Sequence, residues 1–128
     1  MSTTQLGRVQ LLIMQVLWTK VEATAREITD AINQTESIAH STVQTLLRGL
    51  EDKQAVDHKA VERTFVFFPL VKESEFKSSA TQELLSRVFG GKAQDLVAHL
   101  LADEAVSSDE LTEIRKLINR KVLQEKQS

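Results

Sequence analysis

Cysteine is absent from the 128 residues, which removes disulfides, thiolate metal sites and cysteine nucleophiles together. The three histidines, His40, His58 and His99, stand far apart and show no metal-ligand spacing. Proline occurs once, at Pro69, and glycine four times, and no glycine-rich phosphate loop or nucleophile elbow can be assembled from them. A long hydrophobic run is also missing. Val9 to Trp18 is too short, and too interrupted by Gln, to span a bilayer. The N-terminus has no basic start followed by an apolar stretch and a small-residue cleavage site. The expectation is a cytoplasmic protein with no membrane contact, no metal, no cofactor and no evident small-molecule substrate. An enzyme finds no support: the neighbouring carboxylates Asp103 and Glu104 fall on an expected helix, point apart and read as a solvated face, and His58 reads as a partly exposed strand residue.

An excess of one charge is lacking as well. The formal net charge is −2, and residues 1–71 hold seven Lys/Arg against eight Asp/Glu. A nucleic-acid binder is expected to carry a basic footprint, so such a role must rest on local clustering. Arg48, Lys53, Lys59 and Arg63 are the residues expected near one surface, since phosphates respond to local charge and to helix N-termini rather than to the chain total. The 41% hydrophobic and 27% charged residues suit a soluble globular protein. The length fits one domain or two small units, and a monomer of this size buries about two-thirds of its unfolded surface.

What is present is helical periodicity, interrupted once. Leu6, Val9, Leu12, Ile13, Val16 and Leu17 predict a first helix from about Thr4 to Trp18, with Trp18 as a core anchor. Thr19 to Ala23 reads as a connection. Thr24 and Glu27 form a capping box that opens a second helix through about Asn33, with Ala25, Ile28, Ala31 and Ile32 inward. Ser41 with Gln44 fits another box, so a third helix is predicted from Ala39–Thr42 to about Lys53. Val43, Leu46, Leu47 and Leu50 share one face of it. The opposite face carries Ser41, Gln44, Thr45 and Arg48, whose hydroxyls, amide and guanidinium are groups that read base edges and hold phosphates. His40, just before that helix, either touches a phosphate or borders the cap.

From Ala55 to Phe68 the period falls to two, and Thr64-Phe65-Val66-Phe67-Phe68 is rich in β-formers. A hairpin is predicted, with its turn near Val61-Glu62-Arg63 and its end at Pro69. Helices follow from about Glu73 to Phe89, closed by Gly90-Gly91; over Ala93 to Leu101; and from the Ser107–Glu110 capping box onward, fraying from Gln124. The fold class is therefore mainly α with a small β-hairpin. Residues 1–71 form an N-terminal winged helix-turn-helix for DNA, and residues 72–128 form a C-terminal helical dimerisation region. Leu84, Val88, Leu96, Leu100, Leu111, Ile114, Leu117 and Ile118 are the candidate dimer contacts, because three amphipathic helices lack the length for a thick core of their own.

Around the third helix the chain resembles the penicillinase-repressor family. The resemblance rests on Leu6-Gly7 with Val16-Leu17-Trp18, on Thr24-Ala25-Arg26-Glu27-Ile28, and on Ser41 to Leu47 with Leu50 and Lys53. It continues through Phe65 to Val71, Phe89-Gly90-Gly91 and Leu111 to Ile118. It implies a homodimeric bacterial repressor that binds a palindromic double-stranded DNA operator, built in this family around inverted TACA/TGTA elements. It assigns DNA contacts to Ser41, Thr42, Gln44 and Thr45, with Arg63 at the wing, beside Arg48 from the helical pattern. Three departures stand out. Ser41 and Gln44 replace residues that are often Lys or Arg in the family. His99-Leu100 replaces the protease-sensitive Asn-Phe bond of the resistance repressors. The cysteine cluster of the copper-responsive members is missing. A second reading stays open, a winged-helix protein-interaction module without DNA binding. The acidic balance favours it, and the polar outer face of the third helix opposes it.

Overall fold

Ile13, Met14 and Leu17 lie on one stripe of the first helix, and all three are buried. They belong to α1 (Arg8–Lys20), the first element of a computed structural model that describes residues 6–127. The expected helix start at Thr4 lies outside the described residues. The Gly7 backbone N–H donates to the Gln10 side chain at 3.1 Å at the described start. After α1 come β1 (Ala23–Thr24), α2 (Ala25–Asn33), α3 (His40–Asp52), β2 (Val56–Val61), β3 (Thr64–Pro69), α4 (Glu73–Phe89), α5 (Ala93–Ala102) and α6 (Ser108–Gln127).

Three helices and a three-stranded antiparallel sheet of order β1-β3-β2 enclose one core. α2 contributes Ile28 and Ile32, α3 contributes Val43, Leu47 and Leu50, and the sheet contributes Ala23, Val56 and Phe67. Burying each such Ile, Leu or Phe is worth about 1.5–3 kcal/mol, so the core depends on all three helices meeting the sheet. The α2 capping box forms as expected, with the Glu27 N–H on the Thr24 hydroxyl at 3.1 Å and the Thr24 N–H on the Glu27 carboxylate at 2.8 Å. Trp18 is half-buried, its ring 5.5 Å from that of Phe76.

Some local features differ from the sequence expectation. Ala23–Thr24, expected as connection and cap, also forms a strand, pairing Ala23 with Phe67 and Thr24 with Val66. Two residues are too few to show an alternating pattern. The Ser41–Gln44 capping box does not form, because α3 begins two residues earlier than that box requires, with Ala39 as its N-cap and Ser41 already inside the first turn. The Asn33 amide sets that start, its oxygen accepting from the Ile38 N–H at 2.9 Å and its nitrogen donating to the Ile38 carbonyl at 3.1 Å. α6 continues to Gln127 rather than fraying from Gln124, helped by an exposed Lys121–Glu125 pair at 3.0 Å.

The chain's internal contacts divide within α4, between Glu83 and Leu84. In the second unit the Gly91 N–H bonds to the Leu85 carbonyl at 2.9 Å to close α4, with Gly90 and Gly91 at φ 58° and 79°. These are left-handed conformations that glycine adopts without a Cβ clash. α5 and α6 bury no residue in the single chain. Asp103 and Glu104 lie in the turn after α5 rather than on a helix, and Asp103 accepts the Ala105 N–H at 3.1 Å.

Candidate nucleic-acid interface

α3 divides its side chains cleanly. Val43, Leu47 and Leu50 are buried and Leu46 is half-buried, whereas Ser41, Thr42, Gln44, Thr45 and Arg48 are exposed. The outward residues are partly ordered before any partner arrives. The Thr45 hydroxyl donates to the Ser41 carbonyl at 3.1 Å and accepts from Arg48 Nη2 at 3.3 Å, so Thr45 holds the guanidinium over the helix. Among the described residues no side chain caps the N-terminus of α3, and the positive end of a helix left in this way favours an anion.

The wing follows from its turn. β2 and β3 pair from Val56↔Pro69 to Val61↔Thr64, leaving Glu62 and Arg63 as a two-residue connection. Both have positive φ, 49° and 71°, the sign a type I′ hairpin turn requires and one that side chains other than Gly, Asn and Asp adopt at a cost. Arg63 is exposed at the tip.

Between the start of α2, the outer face of α3 and the wing lies an open groove of about 630 Å³. Gln44 and Arg48 from α3 and Arg63 from the wing turn line it together. Ser41, Thr42 and Thr45 are exposed on α3 but do not line it. The expected basic cluster is different in composition. Lys59 is paired with Glu22 at 2.8 Å and Lys53 donates to Gln10 at 3.2 Å, and neither lines the groove. Arg26 takes their place. It sits two residues after the α2 cap and has no hydrogen-bond or ion-pair partner among the described residues, nor do Gln44 and Arg63. The signal for Arg26 was its position, since the first helix of a helix-turn-helix crosses the DNA backbone.

His40 also lines the groove, as the first residue of α3. Thr29 Oγ1 donates its single proton to the Ala25 carbonyl at 2.7 Å, so the 3.1 Å contact with His40 Nδ1 makes that nitrogen the donor. Glu51, Asp57 and His58 are the one set of His and acidic side chains among the described residues whose ligand atoms lie within 4.8 Å of each other. Glu51 is already engaged with His58, and Asp57 accepts the His58 backbone N–H at 2.8 Å.

The model of the penicillinase repressor family matches residues 6–120. The chain belongs to this family. It is 29% identical over 109 residues to the methicillin resistance regulatory protein MecI of Staphylococcus aureus strain N315, covering 85% of this chain and 89% of the relative. It is 25% identical over 114 residues to the penicillinase repressor of Bacillus licheniformis, covering 89% of each. The solution structure of the DNA binding domain of the repressor BlaI matches at 28% identity and TM-score 0.52, over 58% of this chain and 90% of that one. A mutant of MarR from Escherichia coli, solved in complex with operator DNA, shares the fold at 13% identity and TM-score 0.55, over 91% of this chain and 75% of that one. The fold is a winged helix, and the family, the Bacillus licheniformis relative and BlaI are all named as repressors.

Within this repressor-family chain, the second unit presents the other candidate surface. Leu84, Val88, Leu100, Leu111, Leu117 and Ile118 are exposed, Val88 to 66%, while Leu96 and Ile114 are half-buried. Val97, Leu101, Val122 and Leu123 are also exposed apolar residues of this unit, beyond the expected set. The His99-Leu100 bond lies inside α5, with the His99 ring 6.0 Å from that of Phe89. No helix among the described residues is long and apolar enough to cross a membrane.

Proposed function

We propose that this chain is a cytoplasmic, homodimeric transcriptional repressor that binds a palindromic double-stranded DNA operator. Residues 1–71 read the DNA and residues 72–128 join the two copies. The observation that carries the reading is the convergence of Gln44, Arg48, Arg63 and Arg26 on one groove beside an uncapped helix N-terminus, in a chain with no overall basic excess. Ser41, Thr42, Gln44 and Thr45 face base edges in the major groove, where hydroxyl and amide groups discriminate between base pairs. Arg48, Arg63 and Arg26 hold phosphates. Dimerisation is supported by the exposed apolar residues of α4, α5 and α6, since a large exposed apolar patch marks an interaction surface. Two tethered readers then meet two half-sites spaced by the DNA helical repeat.

Footprinting the purified protein on its own upstream region tests this reading. A protected inverted repeat, with affinity that falls steeply as salt rises, is the expected result. Binding to no duplex at low salt, with a stable folded protein, would instead favour a protein-interaction module.

A further inference from the structure

Glu51 and His58 lie in the same groove, and neither belongs to the set expected to contact DNA. Glu51 stands in the last turn of α3, His58 is the third residue of β2, and His58 Nδ1 meets Glu51 Oε1 in a short contact. The imidazole also rests against Phe65 and Phe67 of β3, with ring centroids 4.3 and 5.5 Å away. One side chain therefore links α3 to both strands of the wing that carries Arg63.

The pair also decides a charge. The groove lining holds Arg26, Arg48 and Arg63, and Glu51 is its one carboxylate. A carboxylate facing a polyanion opposes binding by like-charge repulsion. With a neutral imidazole the Glu51–His58 pair carries one negative charge, and with an imidazolium it carries none. The charged and titratable groups that share the groove with His58 or bond to it are Glu51 and Arg48 from α3, Asp57 from its own strand and Arg63 from the turn. Arg26 from α2 and His40 from the start of α3 complete the set, while β3 offers only Thr64, Phe65 and Phe67.

We infer that His58 is a positioning residue whose protonation is coupled to DNA binding, so that the groove takes up one proton as it accepts a duplex. The inference rests on the DNA reading above. Phosphates brought to the groove add negative potential, which favours the imidazolium, and by reciprocity the proton favours the phosphates. The imidazolium cancels the charge of Glu51 and strengthens the link that orients the wing on α3.

The test uses the full chain and a duplex carrying the inverted TACA/TGTA element, at fixed ionic strength with EDTA present. Calorimetry in two buffers of different ionisation enthalpy counts protons in the wild type. Uptake of a proton per groove is expected, and no uptake overturns the inference. Affinity is expected to rise as pH falls from about 8 to 6, by at most about tenfold per unit for one proton. His58→Gln flattens this profile, and Glu51→Gln tightens binding at the alkaline end. An unchanged slope in His58→Gln, or a slope lost in His40→Gln instead, overturns the assignment. Should His58→Gln fail to fold, His58→Lys supplies a fixed charge and is expected to bind at the alkaline end as the wild type does at the acidic end. A failure of that variant to do so counts against the coupling. Duplex binding that is measurable but independent of pH overturns this inference alone, whereas no duplex binding at low salt overturns the DNA reading and this inference with it.

Discussion

The Trp18 indole N–H donates to the Val71 carbonyl at 2.8 Å, joining two residues 53 positions apart. The bond ties the end of α1 to the segment leaving the wing, and the same ring packs on Phe76 of α4. Trp18→Phe keeps an aromatic ring but leaves the Val71 carbonyl without its donor. The expected loss is about 1–3 kcal/mol in chemical unfolding, toward the low end because the site is half-buried. A midpoint equal to wild type would show that water replaces the bond at no cost.

Acid should loosen the helix-turn-helix at two surface sites. The Thr24 backbone N–H, and then its hydroxyl, hold the Glu27 carboxyl below its ordinary value, and the Arg8 guanidinium hydrogen-bonded to Glu36 does the same there. A depressed folded-state value means that the stabilisation is complete above the unfolded value and disappears as pH falls through the folded one. Thermal melts should therefore show stability falling below about pH 4.3, the ordinary glutamate value. Glu27→Gln and Glu36→Gln should each make that fall shallower. Identical acid limbs in all three proteins would remove both carboxylates from the acid response.

Gln44 is expected to read a base. Its amide can pair bidentately with adenine N6 and N7, worth about 1–3 kcal/mol of discrimination. Gln44→Ala should relax base preference at one position in each half-site and leave the melting temperature unchanged, because the side chain is exposed and unpartnered. The measurement is binding to a panel of single-base operator variants. An unchanged panel would take Gln44 out of the readout.

Arg63 separates conformation from contact. Its φ of 71° suits glycine, so Arg63→Gly should fold with stability equal to wild type or up to about 1 kcal/mol greater. The same change removes a guanidinium from the wing tip. Binding should weaken on all duplexes alike, and the salt slope should fall by about one unit. A loss confined to one operator sequence would mean that Arg63 reads a base.

The second unit is expected to hold the dimer. Ile114 is half-buried and Leu117 is 58% exposed in the single chain. Converting both to Asp would bury unpaired charge in an interface, at a cost of several kcal/mol. The double variant should sediment as a monomer, keep the melting behaviour of its N-terminal unit and lose tight operator binding. Sedimentation and binding like wild type would locate the contact between copies elsewhere.

Local signals in the sequence carried much of the fold. The Thr24–Glu27 capping box, the Gly90-Gly91 helix end and the apolar stripe Val43, Leu47 and Leu50 were all legible, because each depends on residues within two helical turns. So were the wing and the polar outer face of α3, since alternation and helical period are properties of short windows. The departures arose where a partner outside the element itself decides, across the sheet for β1 and five residues back for α3. β1 exists only because Phe67 lies opposite Ala23, and α3 starts at His40 because Asn33 holds Ile38. The groove lies further still from any local pattern. Arg26, Gln44, Arg48 and Arg63 span three elements, while Lys53 and Lys59 are engaged by Gln10 and Glu22 and do not line it. Residue type and spacing determined which side chains could bind a polyanion, and long-range packing decided which of them share a surface, because partners distant in the chain compete for the same charges.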